Sequence, residues 1–130
     1  MRISFISCLS GLIISVHSSA MSIKCPEEIK TKQSLQQEIK GWNPFINEPS
    51  SIHHFNRITF YAGHPKENAS LAPDNERKDP TWTFDANDIW LACGYLNTNI
   101  QLIQKLPTRI KKCKATYSKD FSKVIAVHCF

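Results

Sequence analysis

The chain is poor in glycine, with 4 in 130 residues, and these are scattered. Gly11 lies in the apolar N-terminal run, and Gly41, Gly63 and Gly94 stand far apart. Phosphate loops and dinucleotide fingerprints need clustered glycines so that backbone N–H groups can approach the ligand. Neither is present. The longest apolar run, ISFISCLSGLIISV over residues 3–16, falls short of the roughly 20 residues a membrane-crossing helix needs. There is no internal repeat and no low-complexity segment. The charge imbalance is mild, a formal +5.

What is present begins with a leader. Met1-Arg2 forms a positive start, residues 3–16 an apolar core, and His17-Ser18-Ser19-Ala20 places small residues at the cleavage positions. Cleavage after Ala20 is expected, with an uncleaved anchor as the rival reading. Cys8 sits too early for lipid attachment, and Cys25 lacks the preceding small-residue box. The reading is therefore a signal peptide over 1–20 and a single exported domain over 21–130, placed in the periplasm. Without Arg2, 15 Lys and Arg face 11 acidic residues, and most of the excess lies between Lys105 and Lys123. Cys25, Cys93, Cys113 and Cys129 remain, an even count that in a small exported domain predicts two disulfides.

Strand signals dominate the mature chain. Residues 29–37 alternate as a strand would, although Pro26-Glu27-Glu28 also resembles a first helical turn. Residues 41–81 hold five of the 7 prolines and read as loops around one strand, RITFYAG at 57–63. The polar stretch 64–80 is a long loop of the kind that is functional or mobile. TWTF (81–84), IWLACGYL (89–96), NIQLIQKL (99–106), RIKKCKATY (109–117) and KVIAVHCF (123–130) follow as strands. IWLACGYL is apolar on both faces, which predicts a central, doubly covered strand with Trp90 in the core.

A turn near Phe121 sets Cys113 opposite Cys129, Ala115 opposite Val127 and Tyr117 opposite Ile125. One face of that hairpin is then apolar, and Lys112, Lys114, Thr116, Ala126 and His128 occupy the other. Directly opposed cysteines on antiparallel strands lie within disulfide reach. The register thus predicts Cys113–Cys129 and leaves Cys25–Cys93, closing loops of about 17 and about 70 residues. The expected architecture is mainly β: a small antiparallel sheet, a meander or half-barrel, with little helix and two disulfide staples.

Catalytic chemistry finds little support. A nucleophilic cysteine must be a free thiol beside a base, and pairing consumes all four. His53 and His54, being adjacent in a strand, point to opposite faces, and no ligand spacing accompanies His64; these read as loop and surface histidines rather than a metal site. Asp85 and Asp88 in FDANDIW sit where Asp forms turns. No catalytic residue, metal or cofactor is expected. Nucleic-acid binding suits the lysines of 109–114 chemically, but Lys111 and Lys112 point to opposite faces and no stacking aromatics interleave with them. Neither nucleic acid nor, after cleavage, a membrane is an expected partner. Trp82 and Trp42 read as core or as exposed anchors for a protein partner.

The segments CPEEI, GW, ITFYAGHPKENASLAPD, TWTF, IWLACGY, KLP, KKCKATY and the terminal C-F resemble a family of small exported disulfide-containing proteins of Gram-negative bacteria. Some members look like periplasmic immunity proteins to type VI secretion effectors of the L,D-transpeptidase-like kind. The resemblance implies a non-enzymatic inhibitor that binds a peptidoglycan-targeting effector and protects the producing cell. Candidate contacts are His64, Lys66, Glu67 and Asp74 in the long loop, Lys111, Lys112 and Lys114, and Trp82 as a buried anchor. Competing functions are a lysozyme inhibitor, which the basic charge disfavours, and a metal-dependent hydrolase built on His53, His54 and His64.

Overall fold

Alternating apolar and polar residues, short turns and scarce glycine build two antiparallel sheets. A computed structural model describes residues 11–15, 19–75 and 79–130. Its strands are β1 (Met21–Ile23), β2 (Glu28–Lys32), β3 (Ser50–Ala62), β4 (Ser70–Leu71), β5 (Thr81–Thr83), β6 (Ile89–Tyr95), β7 (Gln101–Lys105), β8 (Lys112–Tyr117) and β9 (Val124–Cys129). A single 3-10 turn, Pro65–Glu67, is the one helical element among the described residues. One sheet runs β1-β9-β8-β5 and the other β2-β3-β6-β7, with β4 added to β3. Their inner faces close, half-barrel fashion, on one apolar core.

Period-two alternation sends Ile58 and Phe60 of β3, Trp82 of β5, Leu91, Cys93 and Tyr95 of β6, Cys113 and Ala115 of β8, and Val127 and Cys129 of β9 into that core. Phe60 is fully buried, and its ring lies 4.9 Å from Trp82 and 5.3 Å from Phe84 between ring centres. These tilted contacts join the two sheets. Burying each such aromatic contributes about 1.5–3 kcal/mol from the apolar area removed from water.

The cysteines pair as the register predicts, Cys113 with Cys129 and Cys25 with Cys93. The second bond fastens the segment after β1 to the central strand. Two hydrogen bonds reinforce it: Tyr95 Oη donates to the Pro26 carbonyl at 2.9 Å, and the Phe55 N–H donates to Glu27 at 2.8 Å.

Several expectations are corrected. The strand expected at 57–63 starts at Ser50, because residues 50–54 find β2 as a partner. That same partnership ends β2 at Lys32 rather than Gln37: Lys32 pairs with Ser50, and no strand lies beyond. Within the long 64–80 segment, Pro65–Glu67 form the 3-10 turn and Ser70–Leu71 form β4. Tyr117 lies opposite Val124, not Ile125, because a bulge after Thr116 makes Ile125 an extra residue and leaves it 67% exposed. Strand β6 is central, but its second face is shielded by neighbours in its own sheet. Tyr61 and Lys105 flank Trp90 there, and Thr59 and Ile103 flank Ala92. Trp90 is accordingly only half-buried. His53, expected at the surface, is buried and hydrogen-bonded through both ring nitrogens.

Most of the expected leader lies outside the described residues. Leu12, Ile13 and Ile14 within it are exposed, and β1 begins at Met21, directly after Ala20.

Candidate partner-binding surface

The residues singled out in the sequence separate into two surfaces and one core position. The first surface is built around a pair of turns. Gly63, at φ +87°, turns the chain out of β3 and donates its N–H to the Asp88 carbonyl at 2.6 Å. That φ disfavours a side chain at Gly63, whereas the Glu67 Oε2 that would lie 2.5 Å from its Cβ ends a flexible, exposed side chain and can move aside. His64 then caps the 3-10 turn, its Nδ1 accepting the Lys66 N–H at 3.1 Å. The His64 ring stands edge-on to Trp90 with centroids 4.8 Å apart.

Residues 85–88 complete this end. Trp90 Nε1 donates to Asp88 Oδ1 at 3.0 Å, and the Lys105 ammonium pairs with the same oxygen at 3.2 Å. The Lys105 ammonium, helped by the Trp90 N–H, holds the Asp88 carboxyl below the usual carboxylate range. Lys111 Nζ donates to Asn87 Oδ1 at 2.9 Å. His64, Lys66, Glu67 and Lys111 thus border one patch together with Trp90, Asp88 and Lys105. Sequence reading missed the last three. An Asp before an apolar strand signals a turn, and nothing local shows that the turn receives Lys105 and Gly63 from afar.

The second surface is the outer face of the β1-β9-β8-β5 sheet. Register aligns Ser22, His128, Lys114 and Thr81 in one row across four strands, with Lys112 opposite Thr83 beside it. Ser22 Oγ lies 3.0 Å from His128 Nδ1. Asp74 accepts a 2.7 Å hydrogen bond from Thr83, and Asp79 lies 4.0 Å from Lys114. Lys112, Lys114 and Asp74 therefore share a polar, half-screened face, while Lys111, one residue away, serves the other patch. Exposed ion pairs at such separations add little stability. Their consequence is a defined charge pattern.

Trp82 belongs to neither surface. It is 6% exposed, packs on Phe60 and donates Nε1 to the Leu71 carbonyl at 3.2 Å. A side chain so enclosed cannot reach into a partner, so its expected anchor role is withdrawn. Among the described residues no three His, Cys, Asp or Glu side chains converge as a metal centre would require. Adjacent His53 and His54 diverge across β3: His53 is buried and His54 exposed.

Residues 48–130 match the model of the type VI secretion system Tli immunity protein family. The chain belongs to this family. No curated protein and no solved structure matches it. The matched residues run from the start of β3 to the C-terminus, and so include both surfaces except for Ser22 on β1. Membership assigns a type VI secretion immunity role, in which the chain binds a cognate effector. Two disulfides suit an exported protein.

Proposed function

We propose that this immunity protein acts in the periplasm, where it binds a peptidoglycan-targeting effector of the L,D-transpeptidase-like kind and blocks its catalytic cleft. Family membership carries the immunity role. The wall-directed target rests on the resemblance read from the sequence motifs. Export by residues 1–20 and cleavage after Ala20 are supported by the two disulfides and by a first strand that starts at Met21. The mature domain, 21–130, then needs only to be rigid and to present a complementary face.

Both polar surfaces suit encounter more than anchoring. Lys66, Lys111, Lys112 and Lys114 lie at exposed positions, so their charges set association rate and salt sensitivity. Asp74 and Glu67 fix orientation by excluding a misplaced partner.

The experiment is periplasmic expression of the effector encoded beside this protein, alone and with it. Survival restored by co-expression, together with altered muropeptides in unprotected cells, is the expected result. Continued lysis with no complex on size exclusion would overturn the immunity reading. Inner-membrane damage with unchanged muropeptides would overturn only the wall as target.

A further inference from the structure

The segment between β2 and β3 stands apart from both surfaces. Residues 33–49 carry no strand or helix, and all of them are exposed except Ile46, which is half-buried. The neck is closed, since the Gln33 N–H donates to the Pro49 carbonyl at 2.9 Å. At the far end, Gly41 at φ +85° turns the chain, and the Trp42 N–H donates to the Ile39 carbonyl at 3.0 Å. Pro44 and Pro49 restrict the returning limb. The segment is a closed arm, and loops of this length in a compact domain usually have a function.

Its composition is unlike that of an ordinary solvated loop. Trp42 is 77% exposed and Phe45 86% exposed, with Leu35 and Ile39 about half exposed beside them in sequence. Trp82 shows that this fold can bury a tryptophan. Trp42 instead stands outside the core.

We propose that the 33–49 arm is the element by which this protein grips its effector, with Trp42 and Phe45 as apolar anchors. The inference deepens the immunity reading and rests on it, because membership in a family of effector-binding proteins is what names the occupant. The areas agree. Two aromatics offer about 300–500 Å², around half of the roughly 800 Å² that each partner contributes to a specific interface. The charge pattern agrees as well. Glu38, Lys40 and Glu48 nearly cancel along the arm, so its contact is governed by apolar burial and the polar surfaces supply the steering. The family match starts at residue 48, so residues 33–47 of the arm precede the matched span. An arm joined at a narrow neck can acquire partner-specific side chains without disturbing either sheet.

The test measures binding of the purified exported protein to the catalytically inactivated effector encoded beside it. Wild type, Trp42→Ala/Phe45→Ala and Lys112→Ala/Lys114→Ala are compared at low and high salt. The arm variant is expected to lose affinity by about 100-fold or more, mostly through faster dissociation and equally at both salts. Its thermal midpoint and disulfides stay unchanged, because neither side chain supports the core. The lysine variant is expected to slow association at low salt alone. Binding by the arm variant within about threefold of wild type overturns the arm proposal. Failure of wild type itself to bind defeats the immunity reading instead. A wild-type dimer that the arm substitutions convert to monomer overturns the effector as occupant in favour of a second copy.

Discussion

His53 donates its ring Nδ1–H to the Leu96 carbonyl at 2.8 Å, and so ties β3 to the end of β6 from beneath the sheet. A carbonyl can only accept, so Nδ1 carries the proton. The opposite nitrogen, Nε2, lies 2.8 Å from Thr31 Oγ1 on β2. One imidazole therefore bridges three strands at the point where β2 begins to leave the sheet. His53→Ala is expected to cost about 1–3 kcal/mol, because both partners lose their bond together. Thr31→Val, which removes only the half-buried partner, should cost about 1 kcal/mol or less. Urea unfolding checks both, and equal small losses would show that the bridge contributes nothing.

Gly94 is occupied from across the sheet. A Cβ there would lie 2.8 Å from Arg57 Cγ and 2.9 Å from Arg57 Cζ, since Arg57 crosses directly over its cross-strand neighbour. Gly94→Ala is expected to destabilise by about 1–2 kcal/mol. Arg57 is exposed, so truncating it should cost little and relieve the clash. In a double-mutant cycle the Gly94→Ala penalty should shrink by about 1 kcal/mol in the Arg57→Ala background. An unchanged penalty would locate the strain elsewhere.

The two disulfides close unequal loops, with sequence separations of 16 and 68. In the chain-entropy model they restrict the unfolded chain by about 3 and about 4 kcal/mol. Replacing Cys113 and Cys129 by Ala should lower stability by the smaller amount, and replacing Cys25 and Cys93 by the larger. Chemical denaturation of the two double variants, compared with the reduced wild type, measures both. Reversal of that order would mean that native packing, rather than loop length, decides.

Asp120 organises the β8–β9 turn. Its Oδ1 accepts from Ser118 Oγ at 2.5 Å, from Ser122 Oγ at 2.7 Å and from the Ser122 N–H at 3.1 Å. These donors favour the charged form and lower its pKa from 3.8 to about 2. Because the folded value lies below the unfolded one, the carboxylate supports the turn fully above about pH 4. That support is lost as pH falls through about 2. A carboxyl NMR titration should give a midpoint near 2, and Asp120→Asn should remove the acid-dependent opening of residues 118–123. A midpoint near 3.8 would show that the serines do not hold it.

The positions of the three tryptophans show where local pattern stops being informative. Alternation puts Trp82 and Trp90 on definite faces of their strands, but it does not say which face meets the other sheet. Trp82 turned out to face inward, against Phe60. Trp90 faces outward, beside His64 and Asp88. Trp42, with no strand around it, carried no facial information at all. The candidate contacts divided for the same reason. Lys111 and Lys112 are neighbours in sequence, yet one reaches Asn87 while the other sits opposite Thr83.

The residues by themselves determined the mainly β class, the Cys113–Cys129 register and, by elimination, Cys25–Cys93. A hairpin is closed by a short turn, and its side chains repeat every two residues, so local order suffices for such pairings. Tertiary structure alone decided what depends on distant partners. It set the length of β3, the burial of His53, the outward bulge at Ile125 and the meeting of Gly63, Asp88 and Lys105. It also decided what RIKKCKATY (109–117) presents. Lys112 and Lys114 lie on the outer sheet face, Lys111 on the turn-built patch, because a strand's faces acquire meaning only from what packs against them.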